Sequence, residues 1–123
     1  MKTIIAGSRN CTDYQDLLDA INECGWKPSM VISGAARGAD TLGGQWSSEN
    51  LIECKRFPAN WNKYGKSAGY RRNCEMAEHA DALIALWDGK SSGTNHMINI
   101  AKDKGLLVYV HYCQNENLNG YNV

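Results

Sequence analysis

The sequence predicts an α/β fold: a five-stranded, mainly parallel sheet with helices on both faces, three layers in all. Three observations carry that expectation. Short β-type runs alternate with longer segments of helical spacing along the whole chain. The short runs are continuously apolar rather than alternating, as strands buried on both faces are. The length, 123 residues with 43% hydrophobic side chains, suits one compact domain with a real core.

Taken in order, residues 3–6 (TIIA) are the first strand. Tyr14, Leu17, Leu18 and Ile21 follow helical spacing, with Thr12 or Asp13 as N-cap and Gly25 as C-cap. Met30–Ser33 is the second strand, and a helix follows over 39–50. Residues 52–57 form a third, less apolar strand. An aromatic and basic loop leads to a helix over 67–79. Ala82–Trp87 (ALIALW) is the most apolar run and is assigned the centre of the sheet. A helix over 94–104 ends at Gly105, a good C-cap position, and 106–110 (LLVYV) closes the sheet. Residues 1–112 are read as a single domain and 113–123 as a polar tail.

Composition excludes several function classes. The formal net charge is zero, which argues against a strong non-specific grip on nucleic acid. The charge is nonetheless segregated: Lys55, Arg56, Lys63, Lys66, Arg71 and Arg72 lie between Cys54 and Cys74 with no acid among them, whereas 13–23 carries Asp13, Asp16, Asp19 and Glu23. Five cysteines without C-x-x-C spacing suggest neither a disulfide framework nor a zinc site, and so reduced thiols in a cytoplasmic protein. No run resembles a signal peptide or reaches the roughly 20 apolar residues of a membrane span. Neither metal nor resident cofactor is expected, because no His/Cys/Asp cluster has ligand spacing.

In a parallel sheet, ligands bind at the carboxyl ends of the strands, near the point where strand order reverses. Three loops fall on that edge: Gly7-Ser8-Arg9, Ser33 through Asp40, and Trp87 through Thr94. Two of them lead directly into helices, whose first turns present unpaired N–H groups and partial positive charge. Gly34, Gly38 and Gly93 leave the backbone bare for a phosphate. Ser33, Ser92 and Thr94 add hydroxyl donors, and Arg9 and Arg37 add guanidinium groups. Asp40 suits a ribose hydroxyl, or it caps the helix and holds Arg37; Asp88 is the second carboxylate. Neither a G-x-G-x-x-G nor a G-x-x-x-x-G-K-[ST] pattern is present.

The segment FPANWNKYGKSAGYRRN, residues 57–73, is the second unusual feature. Trp61 could stack a base or cover the core, with even claims, whereas Lys63 and Lys66 read as solvated charges. Arg72 and Asn73 are assigned to the anion site because their helix starts on the same edge. His96 sits beside the Ser92-Gly93-Thr94 loop and is read as a surface side chain; His79 and His111 have no identifiable partner. Trp26, Leu42 and Trp46 could supply an apolar helix face for a homo-oligomer.

Taken together, Gly7-Ser8-Arg9, Ser33-Gly34-x-x-Arg37-Gly38-Ala39-Asp40, Phe57-Pro58-Ala59-x-Trp61, Gly69-x-x-Arg72-Asn73-x-x-Met76, Ala80 to Ala85 and Trp87-Asp88-Gly89-x-Ser91-x-Gly93-Thr94 resemble the YspA/YpsA-like branch of the SLOG superfamily. The resemblance spans most of residues 2–110. It implies a Rossmann-like domain that binds nucleotides or nucleotide-derived ligands, ADP-ribose-like or cyclic signalling molecules among them, to sense or sequester them. Relatives include the Lonely Guy phosphoribohydrolases, the DNA-processing DprA proteins and ligand-sensing domains of bacterial immunity. The phosphoribohydrolases carry G-T-x-x-E with a catalytic glutamate; here Gly93-Thr94-Asn95-His96-Met97 puts a thioether in that place, which can neither steady an oxocarbenium ion nor activate water. An N-glycosidase activity is therefore the alternative expectation, with Asp40 and Asp88 as candidate catalytic residues.

Overall fold

The structure, a computed structural model, describes residues 1–36 and 38–113. Five strands, β1 (Lys2–Gly7), β2 (Met30–Ser33), β3 (Glu53–Arg56), β4 (Ala82–Trp87) and β5 (Leu107–Tyr112), form one sheet in the order β3-β2-β1-β4-β5. Every pairing is parallel, so the Rossmann-like expectation holds and the sheet is parallel throughout. The middle strand is β1, not the more apolar β4, which sits beside it and next to the edge strand β5.

The helices are α1 (Tyr14–Glu23), α2 (Ala39–Glu49), α3 (Trp61–Tyr64), α4 (Ala68–Glu78) and α5 (Ser92–Asp103), with a 3-10 turn at Gly65–Ser67 before α4. Strand side chains alternate between two cores. Ile4, Leu83 and Ala85 pack with Met76, Ala77, Met97 and Ile98 of α4 and α5. Ile5, Val31 and Ile84 pack with Leu17, Ala20, Leu42 and Trp46 of α1 and α2. Ile4, Ile5, Leu83 and Ile84 are fully buried, and each such side chain contributes about 1.5–3 kcal/mol of transfer free energy. Helices thus cover opposite faces, and strand order reverses at β1, between β2 and β4.

Local chemistry explains the ends. The Asp13 side chain caps α1 by accepting from Gln15 N–H, and Gly25 follows the helix at φ +98°. The loop expected before α4 contains α3, whose N-cap Asn60 accepts from Lys63 N–H. It escaped the periodicity test because none of its residues is buried.

Three expectations are corrected. Leu42 and Trp46 lie in the core at 7% and 5% exposure, so they supply no outer apolar face. His111 is not alone: its Nε2 lies 3.0 Å from Asp16 Oδ1 of α1. Cys11 and Cys113 form a disulfide across a sequence separation of 102, leaving Cys24, Cys54 and Cys74 as free thiols. The topology brings the loop after β1 next to the end of β5, a proximity invisible in cysteine spacing. Among the described residues, no helix is long and apolar enough to cross a membrane. The expected tail, beyond Cys113, lies outside the described residues, as does Arg37.

Candidate functional site

A cleft of about 830 Å³ opens at the carboxyl edge, where strand order reverses. That volume lies within the range of small-ligand sites. β1 contributes Gly7 and the loop after it the exposed Arg9; the β2–α2 loop contributes Gly34 and the first turn of α2 Asp40. Trp61 comes from α3, Arg72 and Asn73 from α4, and Ser92, Gly93 and Thr94 from the first turn of α5. The structure thus brings most of the sequence-derived site residues to one cavity.

The two glycine-rich helix entrances are not equivalent. At α2, the Ala35 and Ala36 N–H groups of the preceding loop are already engaged, by Ser33 Oγ and the Asp40 carboxyl. Asp40, 6% exposed, accepts the Ala36 N–H at 3.4 Å, and the backbone N–H groups of Gly34 and Gly7 act on its carboxyl from nearby. Burial pushes its carboxyl pKa up; the charge of Arg72 and the N–H bonds pull it down but do not prevail. Gly38 begins this helix at φ +74°, with Ser8 O 2.5 Å from where a Cβ would stand. Only glycine fits there, and its role is the turn, since Gly38 does not line the cleft.

At α5 the first turn is open. The N-cap Ser91 makes no side-chain cap bond, and a Cβ added to Gly93 would meet nothing within 4 Å. Among the described residues, the N–H groups of Ser92, Gly93 and Thr94 face this turn without a side-chain acceptor. Arg9 lines the same cleft and makes no ion pair among the described residues.

Between the entrances runs a polar chain. Arg72 Nη1 donates to Gly34 O at 2.6 Å and its Nε donates to Asn73 Oδ1 at 3.1 Å. Asn73, 7% exposed, donates through Nδ2 to Gly93 O and to His96 Nδ1 at 3.2 Å. With that amide orientation, His96 Nδ1 is an acceptor and the ring proton sits on Nε2. Burial lowers the His96 pKa, which keeps the ring neutral and the chain intact. His96, expected at the surface, therefore ties α4 to α5, and its ring lies 4.3 Å from that of Tyr70.

Four residues expected in the site lie outside the cleft. Asp88 Oδ1 accepts from Lys90 N and Ser91 N at 2.8 Å each, clamping the β4–α5 loop. Burial pushes the Asp88 carboxyl up, but these bonds outweigh it and its pKa falls below the ordinary value. Ser8, 2% exposed, accepts from Asp88 N at 3.1 Å and lies 3.5 Å from Thr94 Oγ1, pinning the β1 and β4 loops to α5. Ser33 accepts from Ala35 N at 3.1 Å and helps shape the β2–α2 turn, as does Gly38. Conversely, Lys66, Tyr70 and Met76 line the cleft unexpectedly, and Met97 lines it at the place the resemblance gives to a catalytic glutamate. Helical spacing would have found two of the first three: Tyr70 and Met76 stand three residues either side of Asn73.

Two likenesses to known proteins follow this geometry. The model of the YspA, cpYpsA-related SLOG family, YAcAr, matches residues 1–64. The Gene 61 protein of Mycobacterium phage D29 is 34% identical over 116 residues, covering 87% of this chain and 93% of that protein. The second likeness therefore continues past the first, into the half that carries Arg72, Asn73 or Gly93.

Proposed function

The chain belongs to the YspA, cpYpsA-related SLOG family, and from that premise we propose that its cleft binds a nucleotide or nucleotide-derived ligand. Membership suggests nucleotide-related binding or glycosidase-like chemistry. The observation that carries the first is the open start of α5, which lines a cavity that Trp61 also lines.

A phosphate on the first turn of α5 would accept from the N–H groups of Ser92, Gly93 and Thr94, with the Arg9 guanidinium as counter-charge. The α2 entrance plays a different part. There the Asp40 carboxyl lines the cleft and already takes the Ala36 N–H, so a carboxylate, not a phosphate, meets the ligand, and it suits a sugar hydroxyl. Trp61 is 56% exposed with its ring against Gly69, which leaves an aromatic face for a base.

Isothermal titration against adenine and guanine nucleotides tests the reading. Binding tighter than about millimolar is expected, weakened roughly tenfold or more by Arg9→Ala, the loss of one charge-assisted contact. Arg9 makes no ion pair among the described residues, so that variant tests the ligand and not the fold. A panel with no binder, or an unchanged Arg9→Ala, sinks it.

A second reading, cleavage of an N-glycosidic bond, is favoured by one observation: Asp40 is a buried carboxyl at the cleft wall that holds its proton to higher pH than an ordinary carboxylate. Met97, 1% exposed, supplies no acid. Free base released over multiple turnovers and abolished by Asp40→Asn would establish it; no release from any nucleotide that binds would dismiss it.

A further inference from the structure

We propose that the rim strip from Trp61 to Arg71 binds single-stranded nucleic acid, with the terminal nucleotide of the strand seated in the cleft; this rests on the nucleotide reading above and specifies its ligand as an oligonucleotide end. The strip has an unusual surface. Trp61, Tyr64 and Tyr70 are 56%, 38% and 46% exposed, against the tendency of large aromatic side chains to be covered. Lys63, Lys66 and Arg71 stand exposed among them, and none makes an ion pair among the described residues. Cations without acids, interleaved with aromatic rings, complement a chain of phosphates bearing bases.

Two details show that the strip is organised. The Arg71 guanidinium carbon lies 4.4 Å from the centre of the Tyr64 ring, and Arg71 Nε donates to Ser67 Oγ at 3.1 Å. Ser67 Oγ in turn donates to Tyr64 O, so cation, ring and backbone hold one another in place. Trp61, Lys66 and Tyr70 also line the cleft, which makes strip and cavity one continuous surface.

Zero net charge argued against a nucleic-acid partner, but the fold separates the signs. Asp13, Asp16, Asp19 and Glu23 lie on or beside α1, which packs on the face of the sheet opposite to α4. A strand on the rim between Trp61 and Arg71 therefore meets cations, while the acidic cluster of α1 lies across the sheet and the nearest acids on α4 are Glu75 and Glu78, beyond the strip.

The test compares 5′-AMP with a mixed-sequence single-stranded pentanucleotide, by titration calorimetry and fluorescence anisotropy, on the wild type and on Lys63→Glu/Arg71→Glu. Neither substituted residue lines the cleft. The pentanucleotide should bind roughly tenfold tighter or better than 5′-AMP. Its affinity should fall more steeply with salt, by about 0.7 in log–log slope for each phosphate neutralised. The double variant should erase that gain and leave 5′-AMP binding unchanged, with an unaltered thermal melt as the check on folding. Equal affinity for the two ligands, or a gain that survives the double variant, overturns the strip while the nucleotide reading stands. Pentanucleotide binding that needs Lys63 and Arg71, without any mononucleotide binding, keeps the strip and overturns the nucleotide reading. Absence of both overturns both.

Discussion

Asp40 and Arg72 both close on Gly34, yet they make no ion-pair contact with each other. A Cβ at position 34 would overlap Arg72 Nη1 and stand 2.8 Å from both Arg72 Cζ and Asp40 Oδ2. The bare backbone there lets an acceptor and a guanidinium share one wall of the cleft. Burial disfavours the charged form of each, and the charge of each favours the other. Such a pair is costly for stability and useful for a ligand with both donor and acceptor groups.

Gly34→Ala and Gly7→Ala should therefore fail differently. At Gly34 the nearest obstacle is the far end of the Arg72 side chain, which can swing away. Stability should fall by about 1 kcal/mol, the low end for overpacking, while ligand affinity falls at least tenfold as Arg72 leaves its place. At Gly7 the added methyl meets Leu86 backbone oxygen, with Leu86 C at 2.8 Å, inside the parallel sheet. No side chain can yield there, and a loss of about 3 kcal/mol or more is expected. Denaturant melts of both proteins, set beside titrations, distinguish the two. Equal stability losses would show that Arg72 is as fixed as the backbone.

Asp40 also predicts a pH dependence of definite sign. Its folded-state pKa is raised above the ordinary 3.8. Its contribution to stability is thus fully present below about pH 3.8 and is lost as pH rises through the folded value. Asp40→Asn removes that loss, so the variant should gain on the wild type as pH climbs from about 4 towards neutrality. Thermal melts of both proteins across that range measure the difference. A wild type that gains on the variant would mean a depressed pKa, and Asp40 would be an ordinary helix-start carboxylate.

How far the sequence revealed this site depends on what kind of information each residue carries. Met30–Ser33 and Ala82–Trp87 were legible to the residue because both are apolar runs with abrupt polar ends. Gly7, Arg9, Gly34, Asp40, Arg72, Asn73 and Gly93 meet because a parallel sheet places all its strand ends on one edge, a consequence of fold class alone. Asp88 and Ser8 sit on the same edge and still turn away from the cleft. Their hydrogen bonds join loops up to 80 residues apart, and no pattern in a single sequence encodes such a distance. Asp40 shows the same limit: its type and position were visible, but its burial and the Ala36 N–H it accepts were not.

The Cys11–Cys113 disulfide predicts a thiol count and a stability. Three cysteines, not five, should react with a thiol reagent in denaturant without reductant. The bridge spans 102 residues, and closing a loop of that order restricts the unfolded chain enough to stabilise the fold by up to about 5 kcal/mol. Reduction, or Cys11→Ser/Cys113→Ser, should lower stability by that amount, and the variant should be indifferent to reductant. Five reactive thiols, or a melt that reductant does not move, would show that the pair is not bridged.

Gly93→Ala separates ligand binding from folding most cleanly. The methyl would meet no heavy atom of the protein within 4 Å, so nothing in the fold opposes it. In a helix, alanine is favoured over glycine by up to about 1 kcal/mol. The variant should thus melt no lower than the wild type, and slightly higher is expected. The space the methyl enters is the mouth of the first turn of α5, where a phosphate must approach backbone N–H groups closely. Nucleotide affinity should consequently drop roughly tenfold or more while stability is kept. Melting curves and calorimetric titration on the same preparation make the comparison. Unimpaired binding by a stably folded Gly93→Ala protein would remove α5 from the site and, with it, the principal support for a phosphate at this entrance.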